Sequence, residues 1–439
     1  MVHTLKSANS FSCLDKFLAE LTQEIMNSQA SIQNQNLEIW DYLGAYYREH
    51  DIKYLENPIK PIMLEVVLAS LIVWLLEDFL GNVPKSFPNY YESIKKAKQA
   101  GILFDLAFTN RLTDSFHIAQ KLKINLMKVW EFLATLDMSE LLEEDFLGTM
   151  IQNLLPQNLR KALAANYTSL VSARFLAALS IKEDIEKIID PFSGSGRLLT
   201  ALNQEYSYKK VLKRPSIALN ELLDLAAYLA AAQIIYFQKS QGINPLITMH
   251  FGDAFSKLKP PFKFENKAVK YLEKAQMVIM NPPFTRYLRL SNHYLETLNK
   301  VCKSYAKHMS PQMGLHVFSL FLADSLLTSG GRIAAILPAS TFYSKYSEGL
   351  KEFLLARYQI RAIVGTSTDK SFSEASDLKE IIFIADKRKR GEKPIKSILF
   401  VTLNEELTHD SFRTIANTIW KEMPSKFNIK FRRVPHSEL

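Results

Sequence analysis

Two patterns of hydrophobic and polar positions divide the chain. From Leu14 to about Arg160, apolar residues recur at helical spacing, as in Phe17, Leu18 and Leu21, with few glycines, which predicts a mostly helical region. From Ile181 onwards, short apolar runs alternate with helical patterns and end in small or polar residues. Strands that alternate with helices predict an α/β fold with a mainly parallel sheet.

The predicted strands are the short apolar runs of this second region. They are Ile188–Ile189, Ser216–Leu219, Thr248–Phe251, Met277–Met280, Arg332–Leu337, Ile360–Val364 and Glu380–Ile384. We interpret the Pro- and Lys-rich segment Lys257–Lys274 as an insertion or loop, and we expect the basic run Lys387–Arg390 to mark the far edge of the sheet. The pattern therefore predicts an α-helical N-terminal domain (residues 1–160), a Rossmann-like α/β domain (161–397) and a short C-terminal appendix (398–439).

Composition and charge narrow the class of protein. The chain has 439 residues, is 47% hydrophobic and carries a formal net charge of +9, which favours a polyanionic partner without naming it. Its two cysteines, Cys13 and Cys302, suggest neither a disulfide framework nor a metal site, and the nine histidines show no paired ligand spacing. The most apolar stretch, Val66–Leu76, is too short to span a bilayer, and no secretion signal precedes it. We expect a cytoplasmic protein with no metal and no membrane partner.

A strand that ends in an acid and a glycine turn is the first candidate ligand site. The segment Ile188–Gly196 has the sequence IIDPFSGSG and precedes a helix predicted to begin near Arg197. In a doubly wound sheet a nucleoside cofactor lies at such a turn, because glycines let the backbone approach it and the helix N-terminus favours an anion. An ordinary strand–helix turn has the same pattern and is the alternative interpretation.

Two acids follow the next two predicted strands. Glu221 comes directly after the strand that closes with Leu219-Asn220 and can accept hydrogen bonds from both hydroxyls of a ribose. Asp224 is its rival, but it is expected a turn into the helix Leu222–Gln233, where a solvated or capping carboxylate is the simpler interpretation. The segment His250–Ala254 ends the third strand with Asp253, an acid suited to an adenine amino group, although a turn aspartate explains it equally well.

The most specific segment is Met277–Phe284, in which an apolar strand leads into an amide, two prolines and an aromatic ring. The two prolines fix the backbone and remove two N–H donors, which leaves carbonyl oxygens to face a pocket. The side-chain oxygen of Asn281 and the carbonyl of Pro282 can then accept the two hydrogens of a planar amino group, and Phe284 can stack on the base that carries it. A proline-capped strand end is the structural alternative.

These motifs resemble the amino-group methyltransferases, specifically the N6-adenine DNA methyltransferases of restriction-modification and related defence systems. The resemblance extends from about Glu144 to Ile384, with Asp190–Gly196 similar to the cofactor motif of the family and Asn281–Phe284 similar to its catalytic tetrapeptide. Two further segments are similar to the family. Leu155-Pro156, Arg160-Lys161 and Tyr167-Thr168-Ser169 resemble the part that closes over the cofactor, and Gly330–Pro338 resembles a late strand.

The resemblance implies transfer of a methyl group from S-adenosylmethionine to N6 of adenine in DNA, with the base flipped out of the duplex. The catalytic residues that it implies are Asn281, Pro282, Pro283 and Phe284. The candidate cofactor contacts are Tyr167, Thr168, Asp190, Pro191, Phe192, Ser193, Gly194, Gly196, Glu221, Asp253, Ala254 and Asn281. The fold that it implies is a methyltransferase sheet preceded by the helical N-terminal domain.

The order of the closing segment, cofactor motif and catalytic motif is similar to that of the gamma group in this family. Ser169 stands where the family usually has proline, and Ser193 stands where many members have cysteine or glycine. The gamma group commonly has a large target-recognition region after its catalytic domain, and little of this chain follows the resemblance. We therefore expect a separate specificity subunit, or the helical N-terminal part, to recognise the DNA sequence.

Other functions stay open at this point. An RNA base or a protein glutamine amide is an alternative substrate, since similar Asn-Pro-Pro-aromatic loops methylate both, and a catalytically silent DNA-binding scaffold is a further alternative. Asp41 with Asp51-Ile52-Lys53 loosely fits a metal nuclease, but the surrounding pattern is helical, which argues against it. Basic residues after the catalytic loop fit phosphate contacts or a solvated face equally well: Arg286, Arg289, Lys300 and Lys303.

Overall fold

The computed structural model describes residues 13–14, 16–24, 59–138, 168–182, 184–211, 213–242, 246–257, 272–285, 290–310, 312–368, 371–373, 378–422 and 426–438. The chain divides into two compact units. The first comprises Met1–Ala165, Gly194–Gly196 and Leu223–Phe251, and the second comprises Asn166–Ser193, Arg197–Leu222 and Gly252–Leu439.

The helices and strands follow one another along the chain. The helices are α1 (Ile59–Phe79), α2 (Tyr90–Gln99), α3 (Leu106–Lys121), α4 (Leu126–Thr135), α5 (Leu170–Ser180), α6 (Arg197–Tyr208), α7 (Asp224–Ser240), α8 (Asn292–Val301), α9 (Leu315–Leu326), α10 (Ser340–Tyr343), α11 (Glu348–Arg357) and α12 (Phe412–Lys421). The strands are β1 (Ile102–Phe104), β2 (Lys187–Asp190), β3 (Ser216–Glu221), β4 (Ile247–Phe251), β5 (Ala275–Met280), β6 (Leu327–Pro338), β7 (Tyr358–Thr366), β8 (Glu380–Lys387), β9 (Ser397–Leu403) and β10 (Ile429–Pro435). Short 3-10 helices span Lys303–His308, Lys345–Ser347 and His436–Glu438.

The first unit is built around α1, which is buried on nearly all sides because its sequence is mostly apolar. It packs against α7, α3, α2 and α4. Side-chain caps start the shorter helices: Asn89 accepts a hydrogen bond from the Tyr91 N–H, and Asp105 accepts one from the Phe108 N–H at 2.7 Å. The helical pattern did not predict β1, which pairs in parallel with β4.

A buried ionic cluster lies inside this first unit. Arg111 approaches the Asp224 carboxylate to 2.5 Å and the Glu65 carboxylate to 3.7 Å. Burial, together with the neighbouring charge of Asp224, raises the pKa of Glu65 to about 8. The expectation that Asp224 is solvated is wrong, because this residue begins α7 and is 4% exposed.

The described residues of the second unit form strands in the order β3-β2-β5-β6-β8-β7-β9-β10. Strands β3, β2, β5 and β6 are parallel, β8 lies antiparallel between β6 and β7, β7 is parallel to β9, and β10 is antiparallel to β9. Each predicted strand falls within an observed one, and the prediction of a mostly parallel α/β sheet is confirmed. The carboxyl ends of β3, β2 and β5 therefore lie at one edge of the sheet, where a ligand site is expected.

The far edge of the sheet differs from the prediction. Strands β9 and β10 extend it beyond β7, so the expectation that Lys387–Arg390 marks the edge is wrong. Lys387 ends an interior strand instead, and its ammonium group donates a hydrogen bond to the Asp324 carbonyl at 2.7 Å. Residues 398–439 likewise belong to the second unit rather than forming an appendix, because they supply β9 and β10 and because α12 packs against α5.

Among the described residues, no helix combines the length and the apolarity needed to cross a bilayer.

Candidate functional site

The turn after β2 has the backbone conformation that its glycines allow. Gly194 and Gly196 have φ angles of 53° and 87°, in the left-handed region that other residues rarely adopt. A Cβ atom on Gly196 would lie 3.0 Å from the Cα of Ala230, whereas a Cβ on Gly194 would meet nothing within 4 Å. Gly196 therefore permits close packing, and Gly194 borders open space that a ligand can enter.

Asp190, the last residue of β2, is a fully buried acid that can accept a further hydrogen bond. Its Oδ1 accepts a hydrogen bond from the Phe192 N–H at 3.0 Å, and its Oδ2 is buried without a hydrogen-bond partner among the described residues. Burial raises the pKa of this carboxyl well above its usual range, and the neighbouring charge of Glu221 acts in the same direction. A cationic or N–H-bearing ligand group would satisfy the second oxygen.

Asn220, which the sequence pattern did not select, connects the loops at this edge. Its side-chain Nδ2 donates to the carbonyl of Pro191 at 3.2 Å and to the carbonyl of Gly252 at 2.9 Å. Its own backbone carbonyl accepts from the N–H of Ser193 at 3.0 Å and from the Ser193 hydroxyl at 3.2 Å. The one signal in the sequence was a polar amide placed inside a buried strand, next to Glu221.

The two acids that follow β3 and β4 are held differently. Glu221 is 9% exposed, and its Oε1 accepts a hydrogen bond from the Leu222 N–H at 2.9 Å. Asp253 closes a turn: its Oδ2 accepts from the N–H and the hydroxyl of Ser256 at 3.1 and 2.7 Å, and its Oδ1 accepts from the Tyr294 hydroxyl at 2.9 Å. The turn interpretation of Asp253 thus has direct contacts, and a cofactor contact from this residue stays a prediction.

The predicted catalytic segment begins at Asn281, directly after β5. Its Nδ2 donates to the hydroxyl oxygens of Thr168 and Ser373 at 2.9 and 3.0 Å. Thr168 and Ser373 face each other in an isolated antiparallel bridge, and the Ser169 N–H donates to the carbonyl of Phe372 at 3.0 Å. Because both amide hydrogens are used here, the Asn281 side-chain oxygen is the atom of this amide that can accept a hydrogen from a substrate.

Arg197 connects the glycine turn with this segment. The residue is the first of α6, follows Gly196 directly, and is 5% exposed. Its guanidinium group donates a hydrogen bond to the carbonyl of Thr168, the residue whose hydroxyl holds Asn281. Arg197 and Asn281 are therefore both held by Thr168.

Phe284 is 7% exposed and meets the ring of His316 edge-on, with 6.4 Å between the ring centroids and an interplanar angle of 87°. Burial lowers the pKa of His316 to about 4, so its imidazole is neutral at pH 7. His316 was not selected from the sequence, because a single histidine within an apolar helix gives no signal of its neighbours. The Phe284 ring is thus held in place by an uncharged partner.

Several predicted residues lie outside the described part of the chain. These are Tyr167, Leu155-Pro156, Arg160-Lys161, Arg286, Arg289, Asp41 and Asp51-Ile52-Lys53, together with residues 258–271 of the predicted insertion. Lys300 and Lys303 are exposed at the end of α8 and just after it. Within the described ranges, histidine, cysteine and acidic side chains form no group of three or more that could hold a metal ion.

Comparison with known proteins links this geometry to one family. Residues 224–372 match the Eco57I restriction-modification methylase family. No curated protein matches the whole sequence significantly.

Solved structures share the fold at low sequence identity. A type I restriction-modification methyltransferase subunit from Streptococcus thermophilus is 15% identical with a TM-score of 0.52, over 97% of this chain and 95% of that one. The type IIG restriction endonuclease BpuSI is 16% identical with a TM-score of 0.52, over 87% of this chain and 44% of its own. The ATP-dependent type ISP restriction-modification enzyme LlaBIII, solved bound to DNA, is 13% identical with a TM-score of 0.55, over 98% of this chain and 32% of its own.

The chain thus spans less than half of BpuSI and of LlaBIII. The family match covers β5, the segment Asn281–Phe284, the strand β6 and Phe372. The resemblance to restriction-modification methyltransferases that the motifs indicated is confirmed for this part of the molecule. Residues 224–372, about a third of the chain, are thus similar to the Eco57I restriction-modification methylase family.

Proposed function

We propose that this chain transfers a methyl group from S-adenosylmethionine to N6 of adenine in DNA, as the modification component of a restriction-modification system. The observation that carries the proposal is the held amide of Asn281, which uses both of its N–H bonds on Thr168 and Ser373. Its side-chain oxygen is a hydrogen-bond acceptor, and the neighbouring Pro282 has no N–H. Two acceptors and an adjacent aromatic ring suit a planar aromatic amine.

The residues at the edge of the sheet fit S-adenosylmethionine by their chemistry. Asp190 offers a buried carboxylate oxygen that has no hydrogen-bond partner among the described residues, which suits an ammonium group. Gly194 leaves room where a side chain would stand, and Glu221 can accept hydrogen bonds from ribose hydroxyls. Asp253 and Ala254 follow β4 at the place where the adenine of the cofactor would lie. These contacts are part of the proposal.

The chain would act on the amine by orientation and hydrogen bonding. When bound, S-adenosylmethionine supplies an electrophilic methyl group attached to a positively charged sulfur. The Asn281 side-chain oxygen and the Pro282 carbonyl accept the two amine hydrogens and draw the nitrogen towards a tetrahedral geometry, which frees its lone pair. The lone pair would take up the methyl group that the cofactor supplies, which would leave a neutral thioether, and the methylated nitrogen would then release one proton to solvent. Proximity and alignment supply much of the rate.

DNA is the proposed polymer on three grounds. The family segment is described as a restriction-modification methylase, LlaBIII shares the fold and was solved bound to DNA, and the chain carries a net charge of +9. An adenine in a duplex cannot reach a pocket at the edge of a sheet unless it leaves the base stack, so base flipping is part of the proposal. Because the relative from Streptococcus thermophilus is a subunit of a larger system, we also propose a separate specificity subunit as a partner.

Incubation with methyl-labelled S-adenosylmethionine and DNA, RNA or protein, with and without co-purifying partners, tests the proposal. We expect label on N6 of adenine in DNA, and we expect Asn281→Ala to abolish transfer while still binding the cofactor. Asn110→Ala, at an exposed helical position, is the control and should keep full activity. Label on RNA or on a glutamine amide would overturn DNA as the substrate. Transfer to no polymer under any condition would favour a methyltransferase-like scaffold.

A further inference from the structure

Two hydroxyl groups from distant parts of the chain meet at the amide of Asn281. The Thr168 and Ser373 oxygens lie 2.9 and 3.0 Å from the same nitrogen, although the residues are 113 and 92 positions away in sequence. Thr168 is 5% exposed and Ser373 is 4% exposed, so water competes little for these hydrogen bonds. Hydrogen bonds in such surroundings are stronger than those at the surface.

The backbone groups of both hydroxyl-bearing residues make hydrogen bonds to other side chains. The Ser373 N–H donates to Oε2 of Glu380 at 2.7 Å, and Glu380 is 2% exposed at the start of β8. The carbonyl of Thr168 accepts a hydrogen bond from Arg197. A rigid frame therefore carries the two oxygens, and the amide of Asn281 is bound to fixed points rather than to mobile side chains.

We propose that Thr168 and Ser373 are positioning residues that fix the orientation of the Asn281 amide and thereby restrict the methyl acceptor to an amine. This inference rests on the proposed function. With the nitrogen of Asn281 held on the two hydroxyls, the oxygen of the amide is the group that would accept an N–H of the substrate. Rotation of the amide by half a turn would present the NH₂ group instead. An NH₂ group repels an incoming amine and binds a carbonyl oxygen or an unprotonated ring nitrogen.

The two hydroxyls thus act through Asn281 and need not touch the substrate. Loss of one hydroxyl leaves one amide hydrogen without its partner, so the amide is held by one hydrogen bond fewer and its position is less well fixed. A hydrogen bond of this kind contributes about 1 kcal/mol, so we expect roughly a fivefold to tenfold fall in kcat for each lost hydroxyl and a larger fall for the pair. The affinity for the cofactor should change less than twofold.

The experiment compares Thr168→Val, which removes the hydroxyl at nearly constant shape, with Thr168→Ser, which keeps it. Ser373→Ala and the double variant complete the set. Ser319→Ala is the control, because it removes a buried hydroxyl that donates to a carbonyl of its own helix at 2.9 Å. We expect kcat to fall in Thr168→Val, Ser373→Ala and the double variant, and to be largely restored in Thr168→Ser. Full kcat in the double variant would overturn the inference. A loss confined to cofactor affinity would also overturn it, since that result would make Thr168 a cofactor contact.

An NMR measurement tests this inference independently of the proposed function. In protein labelled with ¹⁵N on asparagine only, the side-chain NH₂ signals of Asn281 are identified by their disappearance in Asn281→Asp. We expect two separate proton signals that exchange slowly with water in the wild type and that shift and exchange faster in Thr168→Val and Ser373→Ala, but not in Ser319→Ala. Unchanged signals would overturn the inference even if no substrate is methylated. Absence of transfer by the wild type, with the expected shifts present, would count against the proposed function alone.

Discussion

Gly196 and Ala230 approach so closely that a Cβ atom on Gly196 would lie 3.0 Å from the Cα of Ala230. Gly194, two positions earlier, has no atom within 4 Å of such a Cβ, although both glycines have positive φ angles. The two glycines therefore meet different requirements in the same turn. Both adopt a left-handed backbone, and only Gly196 also lies close to the backbone of a helix.

Substitution of each glycine by alanine should resolve these demands. Gly194→Ala places an alanine in a left-handed conformation without a steric clash, and should lower the free energy of unfolding by about 1–2 kcal/mol. Gly196→Ala also places an alanine at a positive φ angle, and its Cβ would in addition clash with the backbone of Ala230. We expect it to lower the free energy of unfolding by roughly 3 kcal/mol or more. Urea denaturation followed by circular dichroism measures both. Equal losses in the two variants would contradict the importance of the Ala230 contact.

Asn220 is expected to control cofactor affinity without being a catalytic residue. Asn220→Ala removes the hydrogen bonds to the carbonyls of Pro191 and Gly252, so both loops at the cofactor edge lose an anchor. We expect the Kd for S-adenosylmethionine, measured by calorimetric titration, to rise about tenfold, at a cost of about 1–3 kcal/mol in stability. Asn220→Asp should be worse than alanine, because a carboxylate would face two carbonyl oxygens.

A matched control separates loop anchoring from general destabilisation. Asn404→Ala removes two hydrogen bonds near the surface of the same unit, one from Asn404 to Asn428 and one from the Ser367 hydroxyl to Asn404. This variant should leave the Kd for the cofactor unchanged. If Asn220→Ala binds the cofactor as tightly as the wild type, the anchoring role is wrong.

His316 should make stability depend on pH in a defined range. Burial lowers its pKa in the folded protein from 6.5 to about 4. Between these values the unfolded chain takes up a proton that the folded chain does not. The stability that depends on a neutral His316 is therefore fully present above pH 6.5. As the pH falls towards 4, the free energy of unfolding decreases progressively, by up to about 3 kcal/mol.

Urea denaturation at pH 7.0 and pH 4.5 measures this effect. His316→Asn carries no titrating ring, so its free energy of unfolding should fall less between these two pH values than that of the wild type. His117→Asn, at an exposed position of α3, should leave the pH dependence nearly as it is in the wild type. The same pH dependence in wild type and His316→Asn would contradict the shifted pKa.

Local pattern predicted most of the sheet, because each strand from β2 to β8 is an apolar run bounded by polar or small residues. The strand β1 escaped prediction because only three residues, Ile102–Phe104, extend between two helices. In β10, Ile429 and Phe431 alternate with Lys430 and Arg432, and all of them are at least partly exposed at the edge of the sheet. Such a strand is recognised by its pairing with β9, which a sequence alone does not display.

The candidate site was predicted only where its residues are consecutive. Asn281–Phe284 and Asp190–Gly196 are contiguous strings whose chemistry can be deduced from residue type. Ser373 is a serine in a polar stretch, and nothing near it in sequence indicates that it meets Asn281 across 92 positions. Asn220 was passed over for Glu221 because an acid has an evident role beside a ribose, whereas an amide that joins two loops acquires its role from the fold.

The position of β8 between β6 and β7 has a consequence for the synthesis of the chain. Both neighbours of β7 in the sheet, β8 and β9, follow it in sequence, so β7 is synthesised before either of its partners. At about 5–20 residues per second, some two to seven seconds separate the end of β7 from the end of β9. Ile360, Ala362 and Val364, which are buried in the finished protein, cannot pair in this sheet until the later strands have been made. Folding of this part of the sheet must therefore wait for translation of β8 and β9.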